Sequence, residues 1–511
     1  MTRTRRFFTG LLAGYAEVAA NFFFTLTSVP LALHFLPKEE FGLWALVLQI
    51  SGYLMLLELG MSSSVARFLA THKDRMEDGE YGNVLRTGHR FFLCQGALLV
   101  LLSFFAVWIL PSWLAVPSRL LLPFRILIFG QGLTTAIGLS VRMWGSPLSA
   151  HQRQDIVHWT GAANLLTALL VLCLSFWLGA GIYSLPLASF SGSLCSWFLP
   201  WLACRRLGFY PSASASGAFQ WPLFFKMMRF GGDVFTIQLG NLVCSGAPIL
   251  LITRALGLEA AATYSIGIKF LTMGQLIIGR LFNNSAPGLT EIYVRGDRSR
   301  FVLRFYQIIS LSATLAVPTA FALMSANRSF VALWTSGSIQ WPIQCDLLLG
   351  PILVASLISR CFIGAFGIIG NYRPVRYLSL CEGFLFLLVG IPLTLSWGLL
   401  GVLLSSLFSH FCASLIPSWR ILKAQLPSSD SRRLSFMLPL LPLAVVQSLF
   451  LASFFSSPKA ILLITVLSTP LWLFISWHAC LTSAARSEYL HHISCFFIFE
   501  KLRMIKASIW S

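Results

Sequence analysis

Long apolar stretches are the feature of this sequence that most restricts its fold. A helix that crosses a bilayer needs about 20 mostly apolar residues, and fourteen stretches of the chain meet that requirement. Fourteen such helices use about 280 residues, which is more than half of the 511 present. The chain therefore has no room for a sizeable domain outside the membrane. The stretches lie near residues 8–35, 41–63, 90–111, 120–143, 156–178, 182–204, 229–252, 260–283, 301–325, 347–369, 377–397, 399–419, 436–455 and 460–482.

The low charge content agrees with a membrane protein. Only 11% of the residues are charged, whereas soluble domains carry about 25%, so the chain cannot cover a water-exposed surface of its size. The sequence therefore argues against a soluble enzyme, a nucleic-acid-binding protein and a disordered scaffold. The eleven cysteines follow no metal-ligand pattern, and we expect unpaired thiols, no metal and no cofactor.

Basic residues are distributed unevenly between the two sides of the predicted helices. With the N-terminus placed in the cytoplasm, 28 of the 37 Lys and Arg residues fall on cytoplasmic segments and six on opposite-side segments. Because cytoplasmic loops are enriched in Lys and Arg, we predict that both termini are cytoplasmic. The first stretch carries Glu17 and Asn21 and lacks a small-residue cleavage site, so we expect a retained signal-anchor helix.

A weak internal repeat divides the helices into two groups of six. Shifting the chain by about 220 residues brings Asn21 opposite Asn241 and Pro30 close to Pro248, although an accidental match is the alternative. Six is an even number, so both halves would insert with the same orientation. We predict an N-lobe at 1–206, a cytoplasmic linker at 207–228, a C-lobe at 229–424, two further helices at 425–483, and a basic cytoplasmic tail at 484–511 that is either an amphipathic surface helix or disordered.

Ionisable residues inside the apolar stretches are the main functional signal. Glu17, Glu58, Lys269, Arg280 and Arg360 lie well inside predicted helices. On the insertion scale, a Lys, Arg or Asp at mid-membrane costs about 2.5–3.5 kcal/mol. We therefore expect these side chains to face a protein interior or a water-filled cavity.

The basic members of this set share a pattern. Lys269 and Arg280 are eleven residues apart, about three helical turns, so they lie on one face of helix 8. Arg360 in helix 10 adds a second wall, with Gly364 and Gly367 leaving room beside it. We interpret the three residues as the lining of a cationic cavity for an anionic cargo, because Arg matches phosphate through its planar fork and Lys supplies a point charge. The alternative is that they neutralise buried carboxylates.

Two further arginines and the two acids have weaker assignments. Arg125 and Arg142 are additional candidates for the cationic cavity, with snorkelling to the membrane interface as the alternative. Glu17 and Glu58 are candidates for binding a coupling proton or Na⁺. The alternative is that each acid pairs with an Arg or makes a polar contact between helices.

Several short motifs resemble those of a known family. The stretches Phe41-Gly42-Leu43-Trp44, Ser51-Gly52-Tyr53, Leu57-Glu58-Leu59-Gly60-Met61 and Ala66-Arg67 resemble the second-helix signature of bacterial polysaccharide-repeat-unit flippases. These proteins belong to the multidrug/oligosaccharidyl-lipid/polysaccharide exporter superfamily. Glu58 stands where the family usually has Asp. The segment 145–155, with His151-Gln152-Arg153, is similar to the loop after helix 4 in that family.

The resemblance implies an all-α polytopic membrane protein with two six-helix lobes in a V-shaped, MATE-like arrangement, plus two C-terminal helices. It implies a flippase that moves undecaprenyl-pyrophosphate-linked oligosaccharide, such as the O-antigen repeat unit of lipopolysaccharide, from the inner to the outer leaflet of the bacterial cytoplasmic (inner) membrane. Coupling to H⁺ or Na⁺ is implied as well. The implied partners are membrane lipids and other membrane proteins of polysaccharide assembly, and no nucleic acid.

Two other functions fit the sequence less well. A multidrug or cation antiporter of the same superfamily would favour an anionic cavity, and the surplus of cations argues against it. A membrane enzyme of glycan assembly needs an extramembrane site with acidic or histidine residues, whereas the opposite-side loops are short. We therefore predict a transporter without catalytic activity.

Overall fold

The computed structural model describes residues 3–371, 373–425, 445–449, 457–483 and 486–487, and these residues form helices and connecting loops without a β-strand. In chain order the helices are α1 (Arg3–Phe35), α2 (Lys38–Leu54), α3 (Met61–His72), α4 (Glu80–Trp113), α5 (Leu121–Ser140), α6 (Ser146–Ala150), α7 (Gln154–Trp177), α8 (Ser184–Arg206), α9 (Trp221–Leu256), α10 (Leu258–Gly267), α11 (Lys269–Val294), α12 (Arg298–Trp334), α13 (Ile343–Ile369), α14 (Arg373–Trp397), α15 (Leu399–Ser409), α16 (Ile416–Gln425) and α17 (Pro458–Cys480).

Thirteen helical segments of the described residues are long and apolar enough to cross a membrane. They coincide with thirteen of the fourteen predicted stretches. The predicted stretches 156–178 and 182–204 are separate helices, since residues 178–183 divide α7 from α8. The stretches 377–397 and 399–419 are also separate, since Gly398, with a φ of 59°, divides α14 from α15. The predicted helix at 436–455 lies mostly outside the described residues, as does most of the tail. The chain is an all-α, multi-pass membrane protein.

The distribution of apolar side chains fits a lipid environment. Large apolar residues point outward along the helices, and Trp177, for example, is 82% exposed in the protein alone. Other apolar residues form a buried core between α3, α4 and α5 that includes Met61, Phe92 and Leu139. Helices dominate because every backbone N–H and C=O in hydrocarbon needs a partner within the chain.

The described residues pack as two compact units. Within unit 1, α1 packs on α7, α7 on α8, α4 on α5, and α2 on both α9 and α10; within unit 2, α11 packs on α13. The lobe boundaries expected from the internal repeat stay a prediction. Unit 1 consists of the described parts of Met1–Ile268, Val331–Trp341 and Val375–Ser409, and unit 2 of those of Lys269–Phe330, Pro342–Pro374 and His410–Ser511.

Glycines allow helices of unit 1 to approach closely. Gly42 in α2 lies against the carbonyl group of Leu258 at the start of α10, where a β-carbon would overlap the carbonyl oxygen. Gly246 in α9 faces the side chains of Gln49 and Tyr53 in α2. Small residues at membrane helix contacts permit this kind of packing. The contacts hold α2, which forms one wall of the cavity described next.

Candidate functional site

The second predicted helix is interrupted close to its end. The stretch 41–63 was expected as one helix, but α2 ends at Leu54 and a 3₁₀ turn covers Met55–Glu58. Leu59 and Gly60 then adopt left-handed conformations, with φ values of 52° and 70°. The side-chain amide of Gln95 donates a hydrogen bond to the carbonyl oxygen of Leu57. Irregular backbone at this depth needs such partners from the protein.

Glu58 and Arg142 meet at this interruption. Glu58 is buried, and its Oε1 accepts the backbone N–H of Ser62 at 3.2 Å. The Nη2 of Arg142 lies 3.4 Å from Oε2 of Glu58, and its Nε donates to the Ser62 hydroxyl at 3.0 Å. Arg142 remains about half exposed. The guanidinium is therefore anchored on one side and accessible on the other.

A cavity of about 370 Å³ opens beside Arg142. Its walls come from α2, α5, the turn after α5, and α8. Apart from Arg142, the polar groups that line it are uncharged, and one indole ring lies among them. The polar and aromatic lining residues are Ser51, Gln131, Thr134, Thr135, Arg142, Ser193, Ser196 and Trp197. We call this space the α2–α5–α8 cavity.

The hydroxyl groups of this cavity are already partly satisfied. Those of Ser51, Thr134 and Ser193 donate to carbonyl oxygens one turn earlier in their own helices, at 2.8 to 2.9 Å. The Ser196 hydroxyl accepts the Asn164 amide at 2.7 Å. Each hydroxyl oxygen has a second lone pair, so the wall can still accept hydrogen bonds from a bound molecule. Together with Arg142, the cavity suits a ligand with many hydroxyl groups and one anionic group.

Sequence analysis named Arg142 as a further candidate for the cationic cavity of Lys269, Arg280 and Arg360, but it did not single out the uncharged residues that lie beside Arg142. Ser and Thr are ordinary residues of membrane helices, where they satisfy their own hydroxyls by bonding to the preceding turn. They carry no charge that would mark them as unusual. The signature residues Ser51 and Gly52 line the cavity, so the family motif is the sequence signal that could have pointed to this wall.

The other candidate acid, Glu17, lies in unit 1 between α1 and α7. Its Oε2 is 2.7 Å from Nδ1 of His158, and both side chains are partly buried. The carboxylate packs against Gly161, where a β-carbon would overlap Oε1. Sequence analysis gave His158 no role, since only the tertiary structure brings it to Glu17.

The three cations of the predicted cavity all belong to unit 2. Lys269 begins α11 and Arg280 lies eleven residues later in the same helix, about 16 Å along its axis. Arg360 in α13 lays its guanidinium against α11 at Gly279, where a β-carbon would be 3.3 Å from Nη1. Arg360 is therefore held beside Gly279, the residue before Arg280. Lys269 lies about three turns away, at the start of α11.

Direct contacts between α11 and α13 fix Arg360. One turn before Gly279, the Gln275 amide donates to the Ser356 hydroxyl at 2.8 Å. On the other side, the ring of Phe282 fills the space at Gly364, where a β-carbon would overlap it. The expectation that Gly364 leaves room for a ligand is therefore wrong, because a side chain of α11 occupies that room.

The structure also shows which residues contact Glu17, Glu58 and Arg125. Glu17 contacts His158 and Glu58 contacts Arg142, so the described ion pairs of these two acids are with residues of unit 1. Arg125 in α5 lies over the ring of Trp108, 4.8 Å from its centroid, and is not one of the residues that line the α2–α5–α8 cavity. This position favours the interfacial alternative for Arg125.

The fold is shared with solved transporters. The chain is similar to an inward-facing multidrug resistance MATE family transporter of the MOP superfamily, with a TM-score of 0.67, 13% identity, and coverage of 80% of this chain and 96% of that one. It is also similar to the lipid II flippase MurJ in an inward closed conformation, with a TM-score of 0.66, 14% identity, and coverage of 90% and 97%.

The family follows from sequence comparison. Residues 14–291 match the family described as "Polysaccharide biosynthesis protein", which is more than half of the chain, so the protein belongs to this family. The "Succinoglycan biosynthesis transport protein ExoT" of Rhizobium meliloti (strain 1021) is 23% identical over 333 residues; the match covers 62% of this chain and 60% of that relative's length. These matches confirm the resemblance to the polysaccharide members of the superfamily that the motifs indicated.

Proposed function

We propose that this protein is a transporter that moves a lipid-linked saccharide from the inner to the outer leaflet of the cytoplasmic membrane by alternating access. The observation that carries the proposal is the α2–α5–α8 cavity, whose polar wall is uncharged except for Arg142, in a chain of the polysaccharide biosynthesis family. A hydroxyl-rich wall can hold sugar hydroxyls by hydrogen bonds that are individually weak enough to release the cargo.

The cargo that fits best is an undecaprenyl-pyrophosphate-linked oligosaccharide, such as an O-antigen repeat unit. In this proposal the sugar lies in the α2–α5–α8 cavity and the polyprenyl tail stays in lipid. Lys269, Arg280 and Arg360 receive the pyrophosphate at one stage of transport, and Arg142 binds an anionic group of the cargo at another. Guanidinium groups suit this role because they bind phosphate oxygens through two parallel hydrogen bonds.

Ion coupling is assigned to Glu17 in preference to Glu58. The Glu58 carboxylate is buried against Arg142 and Ser62, and a paired guanidinium opposes the binding of another cation. Glu17 contacts the imidazole of His158, which is not a permanent cation as a guanidinium is, so this carboxylate is the better candidate for binding a proton. The pairing of Glu58 with Arg142 also argues against a cation antiporter, since the carboxylate nearest the cavity already has a cationic partner.

The decisive experiment is transport in reconstituted vesicles. Labelled lipid-linked oligosaccharide is added to vesicles that contain the full chain, and its appearance in the opposite leaflet is measured. We expect wild-type protein to transport, Lys269→Ala, Arg280→Ala and Arg360→Ala to lose most of the rate, and Arg300→Ala, which removes an exposed cation, to behave as wild type.

The experiment tests the transport function and the role of the three cations separately. Wild-type protein that moves no lipid-linked oligosaccharide would contradict the transport function. Three variants that transport as well as Arg300→Ala would leave the function standing and would exclude the pyrophosphate role of Lys269, Arg280 and Arg360.

A further inference from the structure

A second cavity lies at the end of unit 1 where α8 leads into the linker. It has a volume of about 330 Å³, and its walls come from the first turns of α4, the turn after α5, the end of α8, and the linker itself. Its polar and aromatic lining residues are Arg86, His89, Trp144, Trp201, Tyr210 and Ser216. We call this space the linker cavity. Neither the predicted cation cluster of unit 2 nor the α2–α5–α8 cavity includes these residues.

The linker forms a fixed wall of this cavity. The ring of Phe209 stacks on His151, with centroids 4.0 Å apart, and the Tyr81 hydroxyl donates to the Phe209 carbonyl oxygen at 3.2 Å. The Tyr210 hydroxyl donates to the carbonyl oxygen of Trp144 at 2.5 Å. Burial raises the pKa of Tyr210, so the phenol remains a neutral donor and adds no negative charge to the wall.

Further hydrogen bonds attach the rest of the linker to α4 and the loop before it. The Ala218 N–H donates to Oδ1 of Asn83 at 2.8 Å. The Ser212 N–H and hydroxyl both donate to the Glu77 carboxylate. A linker that only connected two groups of helices would not need these contacts. They hold the cavity open in a defined shape.

The cavity combines positive charge with aromatic surface. Arg86 supplies the positive charge, and the imidazole of His89, three residues later on the same face of α4, supplies a ring N–H. Arg205 lies over the ring of Trp201, with its guanidinium carbon 5.5 Å from the ring centroid. The rings of Trp144 and Trp201 are 6.1 Å apart. The lining residues include no carboxylate, so the cavity presents an anion-binding wall beside a flat apolar one.

The position of the cavity indicates where its ligand comes from. It lies where the membrane-crossing segment Glu80–Trp113 begins and the segment Gly181–Arg206 ends, so it is at the level of lipid headgroups. The Lys and Arg distribution predicts that this end is cytoplasmic, where the leaflet is anionic. Basic pockets between membrane helices on that side suit phosphate headgroups, and tryptophan rings suit the adjoining interface.

We propose that the linker cavity binds the phosphate of a lipid headgroup through Arg86 and His89, with the glycerol or first sugar of that lipid against Trp144 and Trp201. Two sources carry this chemistry: an anionic phospholipid of the leaflet and the pyrophosphate of a polyprenyl-linked saccharide. The binding site does not depend on the transport function proposed above. A chain that binds the phosphate lipid but moves no saccharide would support the site and contradict the transport function.

Native mass spectrometry of the full chain in detergent tests the proposal. The probes are phosphatidylglycerol, a short-chain polyprenyl pyrophosphate, and diacylglycerol, which lacks phosphate. We expect wild-type protein to retain the two phosphate lipids more strongly than diacylglycerol. Arg86→Gln and His89→Gln should each weaken retention, Arg86→Gln by about tenfold, the effect of one charge-assisted hydrogen bond. Competition between the two phosphate lipids then identifies the preferred source.

Arg90→Gln is the matched control. Arg90 lies one turn after Arg86 on α4, contacts Phe219, and does not line the cavity, so its loss removes the same charge without touching the site. The proposal is overturned if both cavity variants retain phosphatidylglycerol as wild type does, if Arg90→Gln weakens retention as much as Arg86→Gln, or if diacylglycerol binds equally well. Unfolding temperatures close to wild type show that the variants are folded.

Discussion

Single residues decide how charge is tolerated inside this membrane protein. Glu58 and Arg142 form one pair and Glu17 and His158 another, so each acid has a specific partner. The two pairs differ in chemistry. Glu58 faces a guanidinium, which is a permanent cation, whereas Glu17 faces an imidazole, whose two ring nitrogens can donate or accept hydrogen bonds. We therefore propose a mainly structural and ligand-binding role for the first pair and proton binding for the second.

The first prediction concerns Arg142. Arg142→Ala leaves the buried Glu58 carboxylate with the Ser62 N–H but without its cation, and we expect a loss of about 1–3 kcal/mol in unfolding free energy, the cost of an unsatisfied buried acceptor. Adding Glu58→Gln should restore part of this stability. Thermal unfolding in detergent measures both effects.

A matched control for Arg142 is Arg119→Ala. Arg119 pairs with Glu39 but its side chain is 69% exposed, and exposed pairs contribute only about 0–1 kcal/mol. Equal losses of unfolding free energy in Arg142→Ala and Arg119→Ala would show that the Glu58–Arg142 pair stabilises the protein no more than an exposed pair does.

The second prediction concerns Glu17. Glu17→Gln keeps the size of the side chain but removes the carboxylate that contacts His158, so transport by this variant should no longer respond to a pH gradient. Uptake of lipid-linked oligosaccharide into vesicles with and without the gradient is the measurement. Glu259→Gln, at an exposed position in the first turn of α10, should keep the wild-type response. A full response in Glu17→Gln would rule out Glu17 as the coupling residue.

At the scale of helices, close packing depends on positions without a β-carbon. Gly42 lies against backbone atoms of Leu258, which cannot move aside as a side chain can. At Gly364 of α13 the neighbour is a side chain, since the ring of Phe282 of α11 fills the space that a β-carbon would take. These contacts define which faces of α2 and α13 are occupied by protein, and therefore which faces remain for a ligand.

The third prediction compares two glycine substitutions. Gly42→Ala should lower the unfolding temperature and the amount of protein in the membrane, because the new methyl group would overlap the Leu258 carbonyl. Gly130→Ala in α5, where a β-carbon would meet no atom within 4 Å, should be neutral or slightly stabilising, because alanine favours a helix by about 1 kcal/mol over glycine. Similar stability of the two variants would contradict the tight contact between α2 and α10.

At the scale of the whole molecule, orientation in the membrane determines which cavity opens to which side. The uneven placement of Lys and Arg predicts that the linker cavity and the interruption at Leu59 lie at the cytoplasmic end. It predicts that the loop between α12 and α13 lies on the other side. The direction of transport proposed above depends on this assignment.

The fourth prediction tests that orientation. In a background without native cysteines, Ala213→Cys in the linker should react with a membrane-impermeant maleimide only after the inner face is exposed. Gln340→Cys, between α12 and α13, should react in intact cells. Both positions are exposed in the structure, so access rather than burial decides labelling. The reverse pattern would invert the orientation and the proposed direction of transport.

The sequence alone was enough to locate the thirteen membrane-crossing helices of the described residues, because the bilayer imposes a local requirement for about 20 apolar residues that can be read within each stretch. Its motifs were also enough to indicate the family. The tertiary structure decided the rest: the partners of Glu17 and Glu58, the occupation of Gly364 by Phe282, and the hydroxyl wall of the α2–α5–α8 cavity. These features join residues far apart in the chain, and no local pattern of hydropathy or charge encodes which distant helix a side chain will meet.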